Sequence, residues 1–304
     1  MIVVVCPGQG SQTPGFLTPW LASPENVALL SDYSQAAGLD LAAHGTTSDA
    51  ETIRDTAVAQ PLIVAAGLLA LNALRAAGAT IDGIAGHSVG EITAAAGAGI
   101  LSPDDAMQFV SERAVAMAQA AAATPTSMSA VLGGDADDVV TRAESLGLQA
   151  ANYNGGGQIV IAGATDALAR LADEPPAGAR VIPLQVAGAF HTRYMEPARE
   201  WLAGAAGAFA TSNPTLPVWT NNDGSRVESG ARFLELLVGQ VASPVRWDLC
   251  MDSFSAAGVT GIIELAPAGA LVGLARRGLK GVPSVAIKTP DDIPAAIALI
   301  EQNA

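Results

Sequence analysis

Two residues far apart in the chain are of types that do acyl chemistry together. Ser88 lies in Gly86-His87-Ser88-Val89-Gly90, the only Gly-x-Ser-x-Gly present. A strand-like segment over residues 81–85 leads into it, and a helical pattern from Glu91 to Ala96 leads out. That is the strand–turn–helix setting of a nucleophile elbow, where a sharp turn lifts the serine clear of the backbone and the flanking glycines relieve crowding. The helix that follows offers free N–H groups and the positive end of its dipole to an oxyanion. A serine hydroxyl needs a base, and the chain has three histidines. His87 adjoins the serine, where neighbouring side chains diverge, and is expected to pack or to make a structural hydrogen bond. His44 reads as a helix-end cap. His191, in Gly188-Ala189-Phe190-His191-Thr192, follows a strand and precedes a helix, after the serine as the base does in hydrolase-like sheets. His191 is the expected base. Asp166 and Asp173 precede it but fall in a helical, solvated pattern, so a backbone carbonyl is an equal candidate to orient the imidazole. Cys6 ends a buried strand and Cys250 falls within a helix, which leaves no second nucleophile.

The elements that must position these groups alternate. Strand-like segments stand near residues 2–6, 83–86, 128–133, 158–162, 181–186, 216–220, 260–264 and 283–287, with helical patterns between most of them. This is the order of an α/β protein with a mostly parallel, hydrolase-like sheet. From Met128 to Val186 the order runs strand, helix, strand, helix, strand, with the middle strand entered through Asn154-Gly155-Gly156-Gly157, as in a small ferredoxin-like unit. The expected division is a large catalytic domain over 1–123 and 190–304, and a small ferredoxin-like domain over 124–189. Residues 121–126 form the entry to the small domain and Ala187-Gly188-Ala189 the exit, and the cleft between the domains is a natural ligand site.

Composition narrows the function classes. The chain of 304 residues is 50% hydrophobic and 14% charged, with a net charge of −14. Such an acidic surface argues against nucleic acid as a partner. The longest apolar run, near Leu62–Leu71, is short of the roughly 20 residues of a membrane span. Two cysteines make no disulfide framework, and the start, Met1-Ile2-Val3-Val4-Val5, reads as a strand rather than a signal peptide, so a cytoplasmic location is expected. Arg276, Arg277 and Lys280 are the densest cations; they either offset the dipole at a helix C-terminus or gather an acidic partner. Gly8-x-Gly10 lacks the third glycine of a dinucleotide fingerprint, since Thr13 stands there, and no Gly-Lys-Ser/Thr follows for a P-loop.

Taken together, Pro7-Gly8-Gln9-Gly10-Ser11-Gln12, Gly86-His87-Ser88-Val89-Gly90-Glu91 and Ala189-Phe190-His191 resemble the malonyl-CoA:acyl carrier protein transacylases. Ala59-Gln60-Pro61, Ala151-Asn152-Tyr153-Asn154 and Glu264-Leu265-Ala266-Pro267-Ala268-Gly269 extend the resemblance almost end to end. The form it fits best is the stand-alone enzyme of bacterial fatty-acid synthesis. The resemblance implies a ping-pong transfer from malonyl-CoA to the phosphopantetheine thiol of acyl carrier protein, with no metal or other cofactor. It places the backbone amides of Gln9 and Val89 in the oxyanion hole, Arg113 on the malonyl carboxylate, and the Gln240 carbonyl behind His191. It also sets Phe190 where a ring would crowd a 2-methyl branch. Asn154 is either a contact for the coenzyme arm or a turn-forming residue. Carrier docking is expected near Arg276, Arg277 and Lys280 if those cations are not simply a helix end. The rival class is a serine hydrolase, which would need water at the acyl-enzyme and usually an acid behind its histidine. One departure is Ala266-Pro267-Ala268-Gly269, where the family often has Gly-Pro-Gly.

Overall fold

The computed structural model describes residues 1–186 and 188–303. Ten strands occur in chain order: β1 (Ile2–Cys6), β2 (Gly83–Gly86), β3 (Thr126–Gly133), β4 (Gln149–Gly155), β5 (Gln158–Ala164), β6 (Ala179–Pro183), β7 (Val218–Trp219), β8 (Val245–Arg246), β9 (Gly261–Glu264) and β10 (Ser284–Ala286). Five of them form one sheet in the order β10-β9-β1-β2-β7, with every pairing parallel. Its central strand, Ile-Val-Val-Val-Cys, is buried throughout, as expected of a parallel strand covered on both faces. Ile2, Val4 and Cys6 join one hydrophobic cluster, while Val3 and Val5 join another with Trp219, Trp247 and Phe254.

The first cluster is built on the helix Thr56–Ala76, which starts where the Asp55 side chain accepts from the Ala57 N–H. Among the described residues this is the one helix long and apolar enough to cross a membrane, and 78% of its apolar window is buried within the protein. It packs against the helix Pro103–Ala122. The apolar run read from the sequence is therefore the middle of a longer core helix.

The second sheet has the order β6-β3-β5-β4-β8. Its pairings are antiparallel except for β4 with β8, which lends this sheet one short strand from the C-terminal half. The sequence reading placed no strand at β4. That segment, Gln-Ala-Ala-Asn-Tyr-Asn-Gly, lacks a β-branched run and pairs with β5 through two register shifts, so it carries neither the composition nor the alternation of a regular strand. The helix Pro24–Ala37 was also unread, because it buries only Leu30, Tyr33 and Ala37 and shows a weak apolar face, whereas Leu41–Thr46 is the short helix whose end His44 marked. The strand expected at 181–186 lies earlier, at Ala179–Pro183. In the expected exit from the small domain, Ala187 lies outside the described residues.

At the end of β9 the buried Glu264 carboxylate accepts from the N–H groups of Gly269 (2.9 Å), Leu271 (3.0 Å) and Val272 (2.9 Å). These are the orphan donors of the helix Ala270–Gly278, and a buried acceptor satisfies them. Ala268, at the departure noted above, takes a left-handed φ of 51°, a conformation that is strained for a non-glycine residue.

The parallel sheet explains how distant residues meet. β1, β2 and β7 are neighbours running the same way, so the loops after their C-terminal ends emerge side by side. Those loops carry Gln9, Ser88 and Asn221. Ligands of open α/β sheets gather at this edge of the strands.

Candidate active site

Ser88 has a left-handed φ of 54°, a conformation that costs a non-glycine residue about 1–2 kcal/mol and is kept only where the surroundings enforce it. Three hydrogen bonds from Asn221 and Gln240 enforce it here. Asn221 Oδ1 accepts from the Ser88 N–H at 2.7 Å, its Nδ2 donates to the Gly86 carbonyl at 2.7 Å, and Gln240 Nε2 donates to the Ser88 carbonyl at 3.1 Å. The glycines are required by close approach. A Cβ at Gly90 would stand 2.1 Å from the Cys6 carbonyl oxygen, and one at Gly86 would stand 2.0 Å from the Gly90 carbonyl carbon. The elbow thus closes tightly over the end of β1.

His191 reaches the serine from the segment after β6. It too is left-handed, with φ 62°, and its N–H donates to the Val241 carbonyl at 3.0 Å. Its Nε2 lies 2.7 Å from Ser88 Oγ, and its Nδ1 lies 2.9 Å from the Gln240 carbonyl oxygen. A carbonyl only accepts, so Nδ1 carries the hydrogen and Nε2 presents its lone pair to the serine hydroxyl. Asp166 and Asp173 are exposed on the helix Thr165–Asp173, as read from their pattern.

Burial first, and then the positive charge of Arg113, push the His191 imidazole down from 6.5 to about 3. It is therefore neutral, the form a base needs. The kcat/KM profile of any reaction that uses this imidazole as base, which reports the free enzyme, is expected to stay level from about pH 7 down to about pH 5. An acid limb centred near the ordinary 6.5 would contradict this setting. The same depressed value sets the sign for stability. The unfolded chain takes up a proton here below 6.5 that the folded chain refuses until about 3, so this contribution is lost as pH falls through that window.

Arg113, on the helix Pro103–Ala122, is 1% exposed. Its Nη1 donates to Gln60 Oε1 and its Nη2 to Gln240 Oε1 at 2.8 Å, with Ser88 Oγ at 3.4 Å. Its Nε–H is buried without a partner among the described residues. Glu112, the neighbour a surface arginine would have paired with, accepts instead from Trp201 Nε1. Burial lowers the guanidinium to about 10, and the charge of Glu91 opposes that.

A cavity of about 100 Å³ lies against these groups, with Gln9, Gln60, Arg113, Asn152, Phe190 and His191 on its wall. Leu184 and Val186 line both this cavity and two larger grooves outside it, of about 580 and 360 Å³, which reach Arg54. Neither the Gln9 nor the Val89 backbone N–H donates to an acceptor within the described residues, although the Gln9 side-chain amide donates to the Arg54 carbonyl at 3.2 Å. Gln9 and Val89 both border the cavity, as does the largely buried ring of Phe190.

Asn154, read as a coenzyme-arm contact or a turn residue, is bonded on both sides of its amide within the protein. Its Oδ1 meets His87 Nε2 at 2.9 Å, its Nδ2 donates to Gln158, and it is not on the cavity wall. The asparagine on that wall is Asn152, whose Oδ1 is buried and unpartnered. His87 is indeed a packing residue, with its ring edge-on to Trp247 at 5.6 Å and burial holding its pKa down. His44 Nδ1 lies 3.1 Å from Ser48 Oγ at the end of its helix. Arg276 and Arg277 close the helix Ala270–Gly278, and they and Lys280 are exposed. Asn221, Glu91 and the Gln240 side chain were not assigned roles from sequence. Only their burial and their bonds to the elbow mark them.

The sequence matches the family model described as "acyl transferase domain" over residues 3–293. It is 51% identical over 297 residues to the malonyl CoA-acyl carrier protein transacylase of Mycobacterium tuberculosis (strain ATCC 25618 / H37Rv), covering 96% of this chain and 98% of that one. The crystal structure of MCAT from Mycobacterium tuberculosis superposes with a TM-score of 0.93 over 97% of this chain and 99% of that one, at 51% identity. A malonyl-transacylase solved in complex with a type II PKS acyl-carrier protein superposes with a TM-score of 0.92 at 28% identity, covering 99% of each chain.

Proposed function

The chain belongs to the acyl transferase family, in its malonyl CoA-acyl carrier protein transacylase branch, and from that premise we propose a ping-pong transfer with Ser88 as nucleophile and His191 as base. One observation carries the reading. Ser88 Oγ sits 2.7 Å from the unprotonated nitrogen of His191 and 3.4 Å from a buried guanidinium that has a donor to spare.

The hydroxyl proton moves from Ser88 Oγ to His191 Nε2 as Oγ attacks the malonyl thioester carbonyl. The amides of Gln9 and Val89 receive the tetrahedral oxyanion. The carbon–sulfur bond then breaks, and the coenzyme A sulfur takes the proton from His191, leaving a malonyl ester on Ser88. The phosphopantetheine thiol of the carrier attacks that ester by the reverse route, with His191 again as base. These steps balance without a metal or redox cofactor. Arg113 receives the free carboxylate, with its open Nε–H and the adjacent Nη2 as the two donors of a planar fork. Phe190 walls the same cavity and restricts branching at the acyl carbon. The grooves along Leu184 and Val186 give the long thioester arm a path out.

In this reading residues 1–123 and 190–304 form a hydrolase-like catalytic domain around the parallel sheet, and 124–189 a ferredoxin-like domain. The chain order β3–helix–β4–β5–helix–β6 and the strand order β6-β3-β5-β4 support the latter. The natural setting is the supply of malonyl units for fatty-acid synthesis in the cytoplasm. Arg276, Arg277 and Lys280, exposed on a chain of net charge −14, offer an acidic carrier a landing point.

Steady-state rates with malonyl-CoA and holo carrier protein both varied should give parallel double-reciprocal lines. Intersecting lines would overturn the covalent route, and malonate release outpacing transfer would favour the hydrolase.

A further inference from the structure

Beneath the nucleophile a buried polar chain ties Arg113 to a carboxyl that the transfer steps leave unused. Glu91, the first residue after the elbow's last glycine, is 1% exposed, like Arg113. Its Oε1 accepts from the Asn221 N–H at 2.6 Å, and its Oε2 accepts from Gln240 Nε2. The other end of the same carboxamide, Gln240 Oε1, accepts from Arg113 Nη2 at 2.8 Å. One amide group therefore joins a carboxyl to a guanidinium, with no direct ion pair between them among the described residues.

The other groups around Glu91 carry no countercharge. The helix Trp247–Ala256 brings the Cys250 thiol, which feels the charge of Glu91 and is held protonated by burial. β7 leads into Thr220 and Asn221, and the uncharged Gln60 of the helix Thr56–Ala76 meets Arg113. His191 stands beyond Ser88 and is neutral.

The geometry points to Glu91 as a specificity-determining residue: as a neutral acid it leaves Arg113 free for the acyl carboxylate, and as an anion it competes with that carboxylate for the same guanidinium. A single buried cation balances one anion. A second carboxylate beside it would be an uncompensated buried charge, which proteins avoid by protonation. Burial raises the Glu91 carboxyl to about 8, against the opposing pull of the Asn221 N–H, the Gln240 amide, the Thr220 hydroxyl and Arg113. At neutral pH it is mostly protonated, and Arg113 meets the substrate unopposed. Above that value it ionises, and a malonyl group enters only with a proton. Acetyl, which brings no charge, is indifferent.

The inference rests on Arg113 as the carboxylate's partner. The test uses the full-length Ser88→Ala enzyme, which binds thioesters without turnover, and calorimetry in buffers of different ionisation heat to count protons. From pH 7 to 9 the Kd of malonyl-CoA should rise about tenfold, and uptake should climb from about 0.1 to about 0.9 proton per site. Arg113, at about 10, stays charged over this range and accounts for no more than about 0.1 proton. Acetyl-CoA should show neither change. Adding Glu91→Gln should flatten the malonyl response while malonyl-CoA still binds more tightly than acetyl-CoA.

Malonyl-CoA binding more tightly than acetyl-CoA but with no pH-dependent uptake would overturn the role of Glu91 and leave Arg113 standing. Equal binding of the two thioesters would overturn both. The proton count is made with Glu91 in place, so it decides the matter even if the Glu91→Gln variant does not fold.

Discussion

Ser88→Ala is expected to lower kcat/KM for malonyl transfer by about 10⁴- to 10⁶-fold, the scale seen when the nucleophile of a serine–histidine pair is removed. That corresponds to about 5–8 kcal/mol of transition-state stabilisation. Among the described residues no other side chain is placed to take over the covalent step: both cysteines are buried with raised pKa values, and Ser88 is the one hydroxyl residue on the cavity wall. His191→Ala should cost a comparable factor. The double variant should be little worse than either single one, because the two act as a unit. The loss is chemical rather than structural. Alanine tolerates the left-handed φ at this position about as poorly as serine, so stability should stay within about 1 kcal/mol of the parent. Residual activity above about 1% of the parent, in protein free of parent enzyme, would point to another nucleophile.

Arg113→Ala is the second large effect. Malonyl transfer should fall about 10²- to 10³-fold in kcat/KM, the value of a buried charge-assisted pair, while acetyl transfer changes by less than about tenfold. The preference for malonyl therefore collapses. Truncation also strips Gln60 Oε1 and Gln240 Oε1 of their donor, which should destabilise the fold by about 1–3 kcal/mol. Arg113→Lys separates the two effects. It keeps a charge in the cavity but loses the planar fork, so malonyl transfer should drop by about 10- to 100-fold with less damage to stability. An unchanged malonyl-to-acetyl ratio in both variants would remove Arg113 from the carboxylate.

Much of this site was legible in the sequence because its chemistry is bound to local pattern. Gly86-x-Ser88-x-Gly90 announces the elbow, since only glycine lets the turn lie against Cys6 and back on itself. The all-apolar Ile2–Cys6 announces a strand covered on both faces. His191 could be chosen from three histidines by its place between a strand and a helix. What stayed hidden depends on contacts with no local signature. Asn221 follows a strand of two residues and earns its place only by meeting Ser88, 133 positions away. Gln240 was expected to act through its carbonyl; its side chain, which ties Arg113 to Glu91, is a tertiary fact. Asn152 and Asn154 sit two apart on a bulged strand, and Asn152 is the one that lines the cavity. Period alone cannot say that. Glu91 looked like any acid in the first turn of a helix, where negative charge is ordinary. Its burial is what makes it unusual.

The most direct measurement is intact protein mass after brief exposure to malonyl-CoA, followed by addition of holo carrier protein. The prediction is a single malonyl adduct on the parent enzyme, none on Ser88→Ala, and passage of the adduct to the carrier thiol. An adduct that decays to free malonate without reaching the carrier, or one that persists in Ser88→Ala, would contradict a Ser88-based transferase.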